Sequence, residues 1–202
     1  SLAISLRWKF QKSVFCEIEL RNADMPGLEF HHTSLYVYDM AKMVYFFTRV
    51  MGFIESDPTP EGEAYPDTVY LTCDSTEFDQ LVFIDGRPKI EIGKSNLQQL
   101  SFFVDSLNEV REAERILKNE PEVTNIIPRC HGNAWSVYFQ DPENNRLEIY
   151  TSTPWQCSQP HGWDIDLSLS DEEIHKITFA AVKKDPTHQP IAEWGAIVSS
   201  KL

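Results

Sequence analysis

A nine-residue pattern occurs twice in this chain, separated by about a third of its length. The first copy, residues 32–40, reads HTSLYVYDM, and the second, residues 99–107, reads QLSFFVDSL. In both copies apolar side chains alternate as in a strand, and the residues that come next in the chain have apolar side chains at helical spacing. Because one such unit cannot bury its apolar side alone, the repeat predicts two similar halves that fold together.

The same order of elements follows each copy. Asp39 is a predicted helix N-cap in the first half, where Gly52 ends the helical pattern, and Ser106 with Glu109 predicts a capping box in the second. Two strands come after each helix, at residues 69–73 and 81–84 in the first half and at residues 135–139 and 147–150 in the second. Each half is therefore predicted to contain a strand, a helix and further strands.

Turn residues divide the chain into parts. We expect an N-terminal extension of unassigned role at residues 1–27, a repeated module at residues 28–155 with halves at about 28–92 and 96–155, and a C-terminal extension at residues 156–202. Proline and asparagine in residues 141–145 predict a hairpin between the last two strands. Ser170 and Glu173 predict a capped helix that runs to Lys184 in the C-terminal extension.

Charge and composition narrow the range of partners. The chain has 31 acidic and 18 basic side chains, a net charge of −13, which disfavours binding to nucleic acid or anionic membranes. It contains no run of roughly 18 apolar residues that would span a bilayer. The four cysteines show no C-x-x-C spacing, so reduced thiols are expected. We expect a cytoplasmic protein with a small-molecule ligand and neither nucleic acid nor membrane as a partner.

Strand alternation brings three potential metal ligands to one side of the predicted sheets: His32, Gln99 and Glu148. An imidazole, a carboxylate and a further donor with open positions opposite them are typical of non-haem Fe(II) sites. Two alternatives remain. His32 is also compatible with a hydrogen-bonded interior histidine, and Arg146 is placed where it could form an ion pair with Glu148. Alternation also predicts that His31 faces away from His32.

Three segments, residues 29–39, 97–105 and 131–148, resemble the signature segments of the vicinal-oxygen-chelate superfamily, which includes glyoxalases, bleomycin-resistance proteins and extradiol dioxygenases. The third segment most resembles the catechol-dioxygenase-like branch. The resemblance covers about residues 28–155 and implies an α+β fold, in which two βαβββ repeats form one module with a concave mixed sheet, followed by a C-terminal helix.

Carried over by position, the resemblance implies that His32 and Glu148 bind a divalent metal, with Gln99 where this branch usually has a second histidine. Fe(II) is the expected metal and Mn(II) the alternative, but an amide oxygen is a weaker donor than imidazole, so the metal is either held less tightly or absent. His131 and Tyr138 are the implied catalytic pair, which would assist deprotonation of a diol.

Three functions follow from this resemblance. The first is an extradiol-dioxygenase-like oxidoreductase acting on a small catecholic or vicinal-oxygen substrate. The second is a metal-free binding protein of the bleomycin-resistance type, whose apolar pocket would be lined by Tyr36, Phe103, Trp135 and Tyr138. The third is a glyoxalase or isomerase-type lyase, for which Val82 replaces an expected fourth ligand. The fold also implies a homodimer, because its modules often pair across subunits.

Overall fold

The computed structural model describes residues 30–89 and 97–200. The predicted N-terminal extension, residues 1–27, and most of the connector between the halves lie outside these ranges. The helices are α1 (Met40–Arg49), α2 (Leu107–Leu117), α3 (Asp171–Val182) and α4 (Ile191–Ser199). The strands are β1 (Thr33–Val37), β2 (Ile54–Glu55), β3 (Thr68–Thr72), β4 (Leu81–Asp85), β5 (Leu100–Phe103), β6 (Thr124–Cys130), β7 (Ala134–Gln140), β8 (Arg146–Ser152), β9 (Trp155–Gln156), β10 (Trp163–Asp164) and β11 (Gln189–Pro190).

The two halves repeat one sheet topology. Strands of the first half are ordered β1-β4-β3-β2, and those of the second β5-β8-β7-β6, with β10 of the C-terminal extension added beside β6. The first strand of each half pairs in parallel with the last, and the remaining pairs are antiparallel. The repeat and the α+β class predicted from the sequence are therefore confirmed, with one mixed sheet in each half. Strands β9 and β11 form a separate two-stranded antiparallel sheet.

Local signals explain where the helices begin. The side chain of Asp39 accepts a hydrogen bond from the backbone N–H of Lys42, which caps α1 as predicted. Ser170 and Glu173 form the predicted capping box at α3, although the helix ends at Val182 rather than Lys184. At α2 only half of the predicted box forms: the Ser106 hydroxyl accepts from the backbone N–H of Glu109, and the Glu109 carboxylate accepts from that hydroxyl.

Aromatic side chains join the cores of the two halves. The ring centroids of Phe53 and Phe102 lie 5.9 Å apart, and those of Phe46 and Phe139 lie 6.5 Å apart. Three of these rings belong to one cluster of buried residues from strands and helices of both halves, and Phe102, which is partly buried, packs against it. Neither half buries its apolar side by itself, as expected for a repeat of this size. In the part of the chain that the structure describes, no helix has the length and apolar character needed to cross a bilayer.

The C-terminal extension packs on the second half through Trp135. The indole Nε1 donates a hydrogen bond of 2.9 Å to Thr178 Oγ1 of α3, and the Trp135 side chain is only 2% exposed. The prediction that Trp135 lines a ligand pocket is therefore wrong. The side of β7 that faces the core carries Trp135, Val137 and Phe139, whereas Ser136 faces the other side.

Candidate functional site

The candidate site lies on the side of the second sheet opposite the core, which we call the site face and which carries Ser136, Tyr138 and Glu148. Tyr138 on β7 is directly opposite Glu148 on β8, while Leu147 and Phe139 point into the core. Glu148 is 6% exposed. A carboxylate at this depth requires hydrogen-bond donors, because burial without them is costly.

Those donors come from the first strand of the second half. Gln99 Nε2 donates to Glu148 Oε2 over 2.9 Å, and the hydroxyl of Ser101 donates to the same oxygen over 2.6 Å. Parallel pairing of β5 with β8 places Ser101 opposite Glu148, which explains the second contact. The structure therefore brings together two of the three predicted metal ligands, Gln99 and Glu148.

The predicted catalytic pair is joined by a hydrogen bond of 3.0 Å between His131 Nε2 and the Tyr138 hydroxyl. The other ring nitrogen, Nδ1, lies 2.8 Å from the carbonyl oxygen of His161. A carbonyl only accepts, so Nδ1 carries the proton and the neutral ring presents a lone pair at Nε2. Burial, and then the nearby Glu148 carboxylate, raises the pKa of Tyr138 to about 12, so at neutral pH the phenol is protonated and donates to His131.

A cavity of about 480 Å³ opens over this pair. It is lined by Asn125, Ile127, Arg129, His131, Tyr138, Phe139, Gln140 and Arg146. The guanidinium of Arg146 lies 4.4 Å above the Tyr138 ring in a cation–π contact, and no ion pair of the described residues joins it to Glu148. Arg129 Nη1 is 2.9 Å from Asp164. The guanidinium of Arg146 therefore places a positive charge on this wall of an acidic protein, which suits an anionic molecule.

The apolar pocket predicted from the sequence is not found here. Of its four predicted residues only Tyr138 lines this cavity. Phe103 lines a different cavity, of about 510 Å³, beside Phe53 and Ile149. Ser136, by contrast, lies on the site face with a buried hydroxyl for which the described residues offer no hydrogen-bond partner. The site is therefore more polar than predicted.

His32, the third predicted ligand, lies in the first half beside His31. The Nδ1 atoms of the two rings are 3.2 Å apart, and His32 Nδ1 is 3.3 Å from Asp79 Oδ2. No hydrogen bond or ion pair of the described residues joins His32 to Gln99 or Glu148. The prediction that His31 faces away from His32 is wrong because β1 begins at Thr33, and strand alternation does not govern residues before that point.

The C-terminal extension holds the loop that orients His131. His161, whose carbonyl accepts from His131, has its own Nε2 2.9 Å from Asp185 Oδ2, just beyond α3. Hydrogen bonds from Thr187, and then from His161, lower the pKa of Asp185 to about 2. We call the contacts that join His131, His161 and Asp185 the brace. The sequence did not indicate it, because its members are separated by more than twenty residues.

Asp185 gives the fold an acid-dependent contribution. Its pKa is lower in the folded chain than the ordinary value of about 3.8, so ionised Asp185 stabilises the fold above that value, and the contribution is lost as the pH falls toward 2. We expect Asp185→Asn to be less stable than the parent at pH 6, with the difference shrinking between pH 4 and pH 2. Urea unfolding at several pH values measures it, and a difference independent of pH would contradict the assignment.

The sequence model of the glyoxalase/bleomycin resistance protein/dioxygenase superfamily matches residues 29–149, which is more than half of the chain. The chain belongs to this superfamily. The match covers most of both repeats and the site residues Gln99, Ser101, His131, Tyr138, Arg146 and Glu148. It ends before the C-terminal extension, so the brace at Asp185 lies outside the matched region.

Solved structures of other superfamily members are similar to this one. Lactoylglutathione lyase from Agrobacterium tumefaciens is 19% identical, covers 62% of this chain and 95% of its own, and has a TM-score of 0.46. The fosfomycin resistance protein FosX from Listeria monocytogenes is 21% identical, with coverages of 64% and 95% and a TM-score of 0.46. A family enzyme from Burkholderia phytofirmans is 18% identical, with coverages of 62% and 100% and the same TM-score.

The three side chains expected to hold a metal are engaged by other partners in this structure. Gln99 presents its amide nitrogen, a donor without a free lone pair, to Glu148 Oε2, and that oxygen also accepts from Ser101. His32 Nδ1 is directed at His31 and Asp79. Since a ligand must offer a lone pair to the cation, we derive no catalytic step through a metal at Glu148.

Proposed function

We propose that this superfamily member is an enzyme that moves a proton on a small anionic molecule with neighbouring oxygen atoms, of the catechol or α-hydroxycarbonyl class. The observation that carries the proposal is the hydrogen-bonded chain from the His161 carbonyl through His131 to Tyr138, which ends in the cavity beneath Arg146. A fixed tautomer, a protonated phenol and a guanidinium in one cavity are the parts of a proton relay.

Binding would depend on charge. Arg129 and Arg146 both line the cavity, and the planar guanidinium group offers several donors to a pair of neighbouring oxygens. These groups select for oxygen-rich anions over the apolar ligands that the sequence suggested.

Proton transfer would run through the phenol. A hydroxyl of the bound molecule gives its proton to the Tyr138 oxygen while the phenolic proton passes to His131 Nε2, 3.0 Å away. The products are an imidazolium and an oxyanion of the substrate. The imidazolium keeps its Nδ1–H bond to the His161 carbonyl, and the oxyanion is stabilised by Arg146.

Extradiol ring cleavage is the second candidate. It is favoured by the buried carboxylate of Glu148, which lies opposite Tyr138 on the site face, where the superfamily resemblance implies a metal ligand. In that reaction the diol supplies the electrons that reduce dioxygen, and a redox-active metal held by His32, Gln99 and Glu148 would bring the two molecules together. The donor orientations described above argue against that set, and a metal-free protein would bind the same anion without opening its ring.

Substrate binding without metal is the first test. We expect protein stripped of metal to bind catechols or α-hydroxy acids, and Arg146→Gln to weaken binding by about 10–100-fold, since a charge-assisted hydrogen bond contributes about 1.5–3 kcal/mol. Calorimetric titration measures the affinity, and Arg49→Gln on α1 is the matched control.

Assays with the same catechols and α-hydroxy acids distinguish the candidate reactions. Oxygen uptake that appears only after addition of Fe(II) or Mn(II), and that disappears in Glu148→Gln, would establish extradiol cleavage. Proton exchange or isomerisation in metal-free protein would support the relay. If no anion of either class binds to the stripped protein, or if Arg146→Gln binds as well as the parent, the proposed function is wrong.

A further inference from the structure

We propose a transition-metal site in the first half, formed by His31, His32 and Asp79, with Glu77 as an outer carboxylate. Its donor atoms lie within 4.8 Å of one another and form a group of metal-ligand type among the described residues. It shares no residue with the cavity over Tyr138 and does not depend on the proposed function. Neutral imidazole and carboxylate are ligands that suit Zn²⁺, Co²⁺ or Ni²⁺.

Two of the three distances between the donor groups match a tetrahedral site. His31 Nδ1 and His32 Nδ1 are 3.2 Å apart, His32 Nδ1 and Asp79 Oδ2 are 3.3 Å apart, and His31 Nδ1 and Asp79 Oδ1 are 3.8 Å apart. Ligands bound at about 2.0–2.1 Å in a tetrahedron are separated by about 3.3 Å. The two imidazole nitrogens already have this spacing, and a turn of the Asp79 carboxylate would bring one of its oxygens near both rings.

Glu77 fixes the orientation of the first ligand. His31 Nε2 lies 2.7 Å from Glu77 Oε2, so the ring carries its proton at Nε2 and has a lone pair at Nδ1, directed toward His32 and Asp79. A carboxylate behind a metal-binding histidine is a recurring feature of zinc sites, where it sets the tautomer and makes the imidazole more basic. This arrangement distinguishes the cluster from a simple group of acidic residues.

The backbone holds the two sides of the site together. The N–H of Thr33, next to His32, donates a 3.1 Å hydrogen bond to the carbonyl of Gln80, next to Asp79. The amide oxygen of Gln80 accepts from the N–H of Cys73, which ties the Asp79 loop to the end of β3. The ligands are thus arranged before a metal binds, which lowers the entropic cost of binding.

The solvent exposure of the three ligand side chains indicates that the proposed metal site would be open to solvent. The side chains of His31 and His32 are 53% and 46% exposed, and that of Asp79 is 16% exposed. Three protein ligands leave a fourth position for water or for an oxygen of a small molecule, as in catalytic rather than structural zinc sites.

Metal titration of the full chain tests the inference. Stripped protein titrated with Co²⁺ is expected to bind one ion with visible absorption bands typical of tetrahedral coordination, and Zn²⁺ should displace it. We expect His31→Gln and Asp79→Asn each to weaken Co²⁺ binding at least about 10-fold, and Glu77→Gln to weaken it about 10–100-fold without removing it.

Glu148→Gln is the matched control, because it removes a carboxylate of the other predicted metal set and leaves this cluster intact. Circular dichroism would verify that each variant is folded. The inference fails if the parent chain shows no saturable Co²⁺ binding, if the double variant His31→Gln/Asp79→Asn binds like the parent, or if Glu148→Gln abolishes binding while Asp79→Asn preserves it. None of these outcomes affects the anion-binding test at Arg146.

Discussion

Replacing Glu143 with alanine is expected to lower the free energy of unfolding by about 3–5 kcal/mol. Glu143 lies in the turn between β7 and β8 and is 2% exposed. Its Oε1 accepts from the backbone N–H groups of Tyr38 and Asp39, over 2.7 and 2.8 Å, and its Oε2 accepts from Arg87 over 3.1 Å. The carboxylate thus links a turn of the second half to the start of α1 and to a buried arginine of the first half.

The size of the effect follows from burial. Loss of the side chain would leave two backbone donors at the start of α1 without this acceptor and would remove the negative charge next to the buried Arg87 guanidinium. Glu122→Ala is the control, since Glu122 forms a surface pair with Lys42, and such pairs contribute about 0–1 kcal/mol. Urea unfolding followed by tryptophan fluorescence measures both. A loss below 1 kcal/mol for Glu143→Ala would show that the halves are held together without this contact.

The contrast between the turn and its glutamate shows what the sequence can predict. Turn geometry depends on residues 141–145 themselves, so the hairpin was predicted correctly, and Asn144 has the expected positive φ of 62°. The partners of Glu143 are more than fifty residues away in the chain. No periodicity or local motif reports such a contact.

The site was predictable to the extent that its residues lie within strands. Alternation along β5 and β8 placed Ser101 and Glu148 on one face, and the structure agrees. His32 lies before its strand, where the backbone follows the neighbouring loop and alternation gives no information. Asp79 was not singled out as a site residue because a loop conformation positions it. Arg129 was not singled out because it lies on β6, a strand that the sequence pattern did not predict.

Tyr138→Phe is expected to lower kcat by about 10²–10⁴-fold, the range typical for loss of a general acid–base group, while affinity for the anion changes little. Phenylalanine keeps the ring under the Arg146 guanidinium, and it removes only the hydroxyl that donates to His131. His131→Gln should lower kcat by a similar factor, because it removes the lone pair that receives the proton. Steady-state kinetics and calorimetric titration, with Tyr45→Phe on the exposed face of α1 as the control, separate kcat from binding.

A double variant distinguishes a relay from a hydrogen bond that only supports the fold. The pKa of Tyr138 is about 12, so the phenol stays protonated through the neutral range and keeps the proton that it passes to His131. Because the two groups act as one unit in a relay, we expect the double variant Tyr138→Phe/His131→Gln to be no slower than either single variant. If the two losses multiply, His131 and Tyr138 act independently, and proton transfer does not pass from one to the other.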